Sequence, residues 1–172
     1  MKKSITMFLA LLLVSVSAMA ATVAVQPDLN VNFRDEFKTA VGGGAKVNVA
    51  EVPYLPKEVV LSTGLNYSQL STADNLVQDV DVYTIPLEVG YEYAIDSKLA
   101  VKPYVGLDII LADSKVIDNT IGGHLGAEIA YKVTDNISAS LNAGWAFAET
   151  DVLGEKKSLN GAVLGGGVSY KF

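Results

Sequence analysis

His124 is the only histidine of this 172-residue chain and the first candidate for chemistry. An acyl-transfer triad would place it beside a serine and a carboxylate. Ser138, Ser140 and Glu128 are close enough in sequence to make such a triad conceivable. However, the alternation described below puts His124 on the polar face of its strand, whereas a site for lipid chains would lie on the apolar face. We therefore predict no catalytic residue and no enzymatic activity.

Three other patterns resemble ligand sites, and each has a simpler explanation. One histidine and no cysteine argue against a zinc site. The glycine triplets at 42–44 and 165–167 do not precede a helix, so they favour close strand approach over phosphate binding. A group of loop side chains could bind calcium weakly, but its spacing matches no calcium-binding loop: Asp74, Asn75, Asp79 and Asp81. We predict no metal and no cofactor.

The segments that position these residues alternate with period two, which predicts β-strands. The pattern is clearest at the C-terminus, where one face runs Ala162, Leu164, Gly166, Val168 and ends on Tyr170 and Phe172. Such an apolar face with terminal aromatics is typical of a strand that meets lipid. Eight segments show the alternation: Thr22–Phe33, Phe37–Val49, Glu58–Ser68, Val80–Tyr93, Leu99–Leu111, Thr120–Val133, Ile137–Ala148 and Ser158–Phe172.

The lengths of these segments favour a membrane barrel. Roughly 10 to 14 residues per strand are enough to cross a bilayer, for which roughly 9 to 11 suffice, whereas strands of soluble proteins average about 5 to 6. Short connections follow the fourth and sixth segments, and longer polar ones follow the third, fifth and seventh. The prediction is an all-β, eight-stranded antiparallel up-and-down transmembrane β-barrel. Closure requires Thr22–Phe33 as the first strand, although it contains Pro27.

The N-terminus predicts export. Lys2 and Lys3, an apolar run and an Ala-x-Ala pattern ending at Ala20 indicate a signal peptide over residues 1–20 and a barrel domain over residues 21–172. Loss of the two lysines would change the formal net charge from −6 to −8. An acidic exported chain argues against nucleic-acid binding.

The motifs of the chain resemble those of the bacterial outer-membrane β-barrel domain family. The resemblance is carried by Gly64-Leu65-Asn66-Tyr67-Ser68, by Ile85 to Tyr91, by Pro103-Tyr104-Val105-Gly106 and by the C-terminal Val168 to Phe172. It implies a barrel similar to those of the OmpA transmembrane-domain and OmpX type, which include structural anchors and adhesins. It also implies recognition of the C-terminal strand by the outer-membrane assembly machinery.

Parity assigns the two faces of the barrel. Aromatic side chains are expected to ring one end (Phe33, Phe37, Tyr67, Tyr83, Trp145, Phe147) and the periplasmic end (Tyr91, Tyr93, Tyr131, Tyr170, Phe172). Charged residues are expected inside, paired into a plug: Asp28, Lys38, Lys46, Glu58, Glu88, Glu92, Lys102, Asp108, His124, Glu128, Lys132 and Lys171.

These inferences predict a monomeric protein of the bacterial outer membrane with a filled polar interior. Its expected role is structural or adhesin-like, with outer-membrane lipid around it and an extracellular ligand at its loops. Two alternatives remain open. One is a small porin-like channel for ions or small solutes, and the other is a soluble lipocalin-like barrel, which would need the opposite assignment of faces.

Overall fold

The computed structural model describes residues 22–74, 79–114 and 116–172, and the predicted signal peptide lies outside them. Every regular element in these residues is a β-strand. In the described part of the chain, no helix is long and apolar enough to cross a membrane. The strands are β1 (Thr22–Arg34), β2 (Ala40–Ala50), β3 (Val59–Leu70), β4 (Val80–Tyr91), β5 (Tyr93–Ala94), β6 (Leu99–Ala112), β7 (Thr120–Lys132), β8 (Ile137–Phe147), β9 (Glu149–Val152), β10 (Glu155–Ser158) and β11 (Gly161–Lys171).

Eight long strands form one closed antiparallel barrel. Its order is β1, β2, β3, β4, β6, β7, β8 and β11, and β11 pairs back onto β1. The two-residue β5 continues β4 beyond Glu92 and pairs with β6. The predicted eight-stranded up-and-down barrel is confirmed, and Thr22–Phe33 lies within its first strand.

Pro27 lies at an interruption in the ladder that closes the barrel. Towards β2, the pairing of β1 runs unbroken from Thr22 to Asn32, with Pro27 opposite Ala45. Towards β11, the pairing stops after Val25 and resumes at Asp28. Because proline has no N–H to donate, a break in the ladder at this position is expected.

The two ends of the barrel carry different connections. Thr22 and the end of β11 lie at one end, here called the terminal end, together with connections 51–58, 95–98 and 133–136. The opposite loop end carries 35–39, 71–79, 113–119 and 148–160, the last of which contains the β9–β10 hairpin. The predicted alternation of long and short connections holds from β3 onward. For the first two connections the order is reversed, because 35–39 at the loop end is shorter than 51–58 at the terminal end.

The outer surface of the barrel is apolar. Leu29 and Leu141 are 70% and 71% exposed, respectively, although each lies in the middle of a long strand. Contiguous exposed apolar surface of this kind marks contact with lipid or a partner. A lipocalin-like soluble barrel requires the opposite arrangement, so the fold favours the membrane assignment.

The aromatic side chains follow the predicted rings with one exception. Phe33, Tyr67, Trp145 and Phe147 are exposed near the loop end, where Tyr83 is half-buried with its ring centroid 5.5 Å from that of Tyr67. The five aromatics predicted for the terminal end are all exposed. The prediction for Phe37 is wrong, because this side chain is only 4% exposed. β2 begins at Ala40 rather than at Phe37, so the side chain belongs to a connection and turns into the barrel mouth.

The charged residues predicted to face inwards separate by height. Those in the middle of the strands are buried, including Asp28, Lys46, Glu88, Lys102 and Glu128. The prediction is wrong for residues at or beyond the strand ends, which are exposed: Lys38, Glu58, Glu92, Lys132 and Lys171. A barrel lumen is open at its ends, so a long polar side chain there reaches solvent without crossing the wall.

Candidate functional site

Glycines make room for the large side chains that fill the lumen. A Cβ atom built on Gly126 would lie 2.6 Å from the Tyr104 hydroxyl, and one on Gly106 would lie 2.6 Å from His124 Cε1. Gly126 is opposite Tyr104 in the β6–β7 ladder, as Gly106 is opposite His124. Each bulky side chain therefore lies across the glycine of the neighbouring strand, which is why a barrel of only eight strands can hold them.

A chain of charged contacts crosses the lumen from β2 to β6. Lys46 Nζ donates hydrogen bonds to the two carboxylate oxygens of Glu88, at 2.9 and 3.2 Å. His124 Nε2 lies 3.3 Å from Glu88 Oε1, and His124 Nδ1 lies 3.0 Å from Asp108 Oδ2. Neither ring nitrogen has a well-directed hydrogen bond, so the imidazole ring lies between two carboxylates without a hydrogen bond to either. Lys46 Nζ also lies 5.5 Å from the centroid of the Tyr104 ring.

A second, mostly neutral chain of hydrogen bonds crosses the lumen below the first. Gln26 Nε2 donates to Glu128 Oε2 at 3.1 Å and to Ser140 Oγ at 2.9 Å. On its other side, Gln26 Oε1 accepts a hydrogen bond from Asn48 Nδ2 at 2.9 Å. Glu128 also pairs with Lys102, whose Nζ lies 3.0 Å from Glu128 Oε1. Gln26 is 1% exposed, so this layer obstructs the lumen.

A cavity of about 90 Å³ remains inside the barrel. Its lining contains Asp28, Arg34, Asn66 and His124. Each of these four residues has at least one buried polar atom that lacks a hydrogen-bond partner among the described residues. Buried polar atoms of this kind are usually satisfied by ordered water, and the cavity has room for a few water molecules.

An apolar cluster closes the loop end of the lumen. We call it the apolar cap. It combines inward residues near the loop ends of the strands with residues of the connections, all of them buried: Phe37, Ala40, Leu70, Val80, Val82, Ile110, Ile117, Ala148, Val152 and Leu159. The alternation did not predict it, because inward positions were expected to be polar throughout. The sequence does contain an indication of the apolar cap, because four inward positions near the loop end are apolar: Leu70, Val80, Val82 and Ile110.

Backbone hydrogen bonds join the connections above the apolar cap. Lys38 N–H donates to Ser71 O at 2.9 Å and Ala73 N–H donates to Glu36 O at 3.0 Å, so 35–39 is tied to 71–74. Likewise, Asp118 N–H donates to Asp151 O at 3.0 Å and Leu153 N–H donates to Val116 O at 2.9 Å.

Side chains then connect these two pairs of connections. Lys157 Nζ lies 3.4 Å from Asp74 Oδ2 and 3.9 Å from Glu36 Oε1. Ser158 N–H also donates to the Glu36 carboxylate. The described residues of the four loop-end connections are therefore joined by hydrogen bonds and ion pairs into one platform over the apolar cap.

The residues considered for catalysis do not form a triad. Both ring nitrogens of His124 face carboxylates. Ser140 instead accepts a hydrogen bond from Gln26, and Glu128 pairs with Lys102. The arrangement is that of a charge network rather than of a nucleophile and its base.

The residues considered for calcium binding are engaged within the platform. Asp74 contacts Lys157, Asp79 N–H donates to Ser71 Oγ, and Asp81 accepts a hydrogen bond from Tyr67. Asn75 lies outside the described residues. Within the described ranges, no group of three or more His, Cys, Asp or Glu side chains could hold a metal ion.

The glycine triplets allow close strand approach, as predicted. A Cβ on Gly44 would lie 2.3 Å from Leu65 O, and a Cβ on Gly167 would lie 2.4 Å from Pro27 O. These distances are too short for any side chain, so the backbones of β2 and β3, and of β11 and β1, require glycine at the two positions.

A closed barrel with an apolar exterior, aromatic residues near both ends and a buried polar lumen belongs to the class of transmembrane β-barrels. The sequence profile of the outer membrane protein beta-barrel domain family matches residues 6–172. The chain belongs to that family, and its location is the bacterial outer membrane. No curated protein matches the chain.

Solved structures of outer-membrane barrels share this fold. The N-terminal β-barrel domain of Pseudomonas aeruginosa OprF is 16% identical with a TM-score of 0.59, covering 89% of this chain and 98% of that one. Neisserial surface protein A is 18% identical with a TM-score of 0.57, covering 88% and 96%. Ail, the attachment invasion locus protein of Yersinia pestis, is 10% identical with a TM-score of 0.53, covering 88% and 97%.

Proposed function

We propose that this outer-membrane barrel is a non-enzymatic surface protein whose loop-end platform makes adhesin-like contacts outside the cell. The observation that carries the proposal is the platform itself, in which all four connections are joined by hydrogen bonds and ion pairs. A pre-ordered surface loses little conformational entropy when it binds. Among proteins of the same fold, the names of Ail and Neisserial surface protein A refer to attachment and to the cell surface.

The charge of the platform indicates the kind of partner. Connections 35–39, 71–79, 113–119 and 148–160 contain nine acidic and four basic residues. The exposed Leu153 lies at the tip of the β9–β10 hairpin among these charges. A basic protein surface with an apolar recess fits this combination, and such binding would weaken as salt screens the charges.

The experiment uses the full chain in lipid vesicles and measures their retention on immobilised basic extracellular proteins. We expect retention that falls with added salt and is lost in Leu153→Ser with Glu155→Gln. The matched control is Ile95→Ser with Glu92→Gln at the terminal end, which should retain binding. Equal retention of both variants, or none by the unaltered protein, would contradict the surface-contact role.

A small channel is the second candidate, and the internal cavity is the observation that favours it. Passage would require the Gln26 layer and the apolar cap to open. We expect no steady conductance from the purified protein in planar bilayers. Stable single-channel currents that change in Gln26→Ala would favour the channel over the surface role.

We also propose the remaining partners from the architecture. The closed barrel has no free strand edge in its wall, which supports a monomer surrounded by lipid. β11 ends with exposed Tyr170 next to Phe172, which supports recognition of this strand by the assembly machinery. Deletion of Phe172 should reduce the amount of protein in the outer membrane while leaving its export unchanged, measured by cell fractionation.

A further inference from the structure

The aromatic ring at the terminal end has a gap. β4, β5, β7 and β11 supply it through Tyr91, Tyr93, Tyr131 and Tyr170, and Phe172 follows β11. On the three consecutive strands β1, β2 and β3, alternation assigns aliphatic residues to the outer face at this end, and all of them are buried or half-buried: Val23, Val25, Val47, Val49, Val59 and Leu61. About a third of the barrel circumference therefore lacks the aromatic residues that usually lie at the membrane interface.

The connection 51–58 lies in this gap, because it joins β2 to β3. It is eight residues long, whereas the other two connections at the terminal end, 95–98 and 133–136, have four each. Its tip carries Tyr54 and Leu55, which are 104% and 42% exposed. Two large apolar side chains at the tip of an exposed turn are unusual when no partner covers them.

The backbone of this connection forms a turn whose third position does not favour tyrosine. Leu55 N–H donates to Val52 O at 3.1 Å, closing a turn with Pro53 second and Tyr54 third. Tyr54 has φ = 72°, as the third residue of a type II turn requires. Glycine or asparagine is preferred there, so a tyrosine in this conformation is strained. A following turn, closed by Val59 N–H donating to Pro56 O at 3.0 Å, fixes the orientation further.

We propose that connection 51–58 is a lipid anchor, which places Tyr54 and Leu55 in the headgroup boundary of the periplasmic leaflet and completes the aromatic ring. The occupant of this surface is the phospholipid interface, because the connection lies at the same end of the barrel as the ring, between the aromatic residues of β11 and those of β4. Tyrosine suits that position since its ring enters the apolar boundary while its hydroxyl stays hydrated. Pro53 and Pro56 flank the tip and restrict its backbone. The connection therefore loses little conformational entropy when Tyr54 and Leu55 enter the lipid.

The test is depth-dependent fluorescence quenching of a single tryptophan in the full chain, reconstituted in phospholipid vesicles. Trp145 is the only tryptophan, so Trp145→Phe provides the background. Tyr54→Trp in this background should emit at shorter wavelength than in water. Lipids brominated near the carbonyl end of the chain should quench it more than lipids brominated near the methyl end.

Two matched positions calibrate the result. Tyr93→Trp belongs to the existing ring and should be quenched strongly, whereas Leu153→Trp on the β9–β10 hairpin should stay unquenched in water. The anchor is supported if Tyr54→Trp shows more than half of the quenching that is measured for Tyr93→Trp. Emission like that of Leu153→Trp would overturn it. Circular dichroism before and after reconstitution confirms that each variant is folded, so weak quenching cannot be attributed to misfolding.

Discussion

The lumen and the apolar cap fill the same barrel interior, yet different forces hold them together. In the lumen, Lys46, Glu88, Lys102 and Glu128 are buried as ion pairs, each within 3.0 Å of its partner. In the apolar cap, Phe37, Val152 and Leu159 pack with aliphatic residues from seven other positions. The lumen connects strand to strand, whereas the apolar cap connects strands to the platform above them.

This difference predicts which substitutions should also loosen the loop-end connections and which should act only at their own site. A buried charge that loses its partner cannot be solvated in place, so the loss is large but does not require the connections to move. An apolar side chain lost from the cap leaves a cavity beneath the platform and loosens the connections that contribute to it. The following predictions test that distinction, from the largest expected effect to the smallest.

Glu88→Gln should have the largest effect on stability. It leaves Lys46 buried without a carboxylate and is expected to lower the unfolding free energy by about 3 kcal/mol or more. Urea unfolding in lipid vesicles measures this. The control is Asp135→Asn, which breaks the exposed Lys132–Asp135 pair and should cost far less, because solvent screens that pair. Similar losses for the two variants would show that the lumen pairs are solvated and would remove the contrast.

Leu159→Ala should lower the unfolding free energy by about 3 kcal/mol, because it opens a cavity in the apolar cap. It should also make connections 71–79 and 148–160 sensitive to protease, which Glu88→Gln should not. Mass spectrometry of the cleavage products identifies the sites. Leu141→Ala on the lipid-facing wall is the matched control and should leave the connections protected. Equal protection of all three variants would mean that the cap does not support the platform.

Leu153→Asn should raise the unfolding free energy slightly. Leu153 and Gly154 form the tip of the β9–β10 hairpin with φ values of 55° and 86°. Asparagine tolerates this left-handed conformation better than leucine, so a gain of about 0.5–1 kcal/mol is expected. Leu153→Ala serves as the control and should show no gain. A loss of stability in Leu153→Asn would indicate that the leucine side chain packs onto the platform.

Asp96, in a connection outside both regions, should show the smallest effect and a defined pH dependence. The backbone N–H groups of Lys98 and Leu99 donate hydrogen bonds to its carboxylate and hold the pKa of that carboxyl below its usual value. A lowered pKa in the folded state stabilises the protein above the unfolded pKa, and that contribution is lost as the pH falls through the folded value. Asp96→Ala should therefore differ from the unaltered protein at neutral pH, and the difference should shrink only as the pH falls from about 4 through the lowered pKa of the folded state.

Asp135 tests the cause of such a shift. Its pKa is lowered mainly by the hydrogen bond and charge of Lys132, not by backbone groups. Added salt should therefore weaken the effect at Asp135 more than the one at Asp96, which unfolding at two ionic strengths would measure.

The sequence could predict the barrel because its periodicity is strictly local. Outward Leu29, Leu87 and Leu141 and inward Lys46, Glu88 and Glu128 follow from alternation alone, since each strand must show one face to lipid and the other to the lumen. The pairing of inward charges was also predictable, because unpaired charges are not tolerated there. The particular partners could not be predicted, because Lys46 contacts Glu88 across an intervening strand and His124 contacts residues of two strands.

Only the tertiary structure decided the apolar cap, the platform and the position of Phe37. These depend on connections folding over a barrel mouth, where residues distant in sequence meet and no periodicity applies. The alternating pattern extends to Phe37, although β2 begins only at Ala40. A pattern of alternation cannot show where the ladder of hydrogen bonds ends. The sequence by itself determined a membrane barrel with a polar lumen. Closure of the strands brought the connections together, and that contact created the surface available for function.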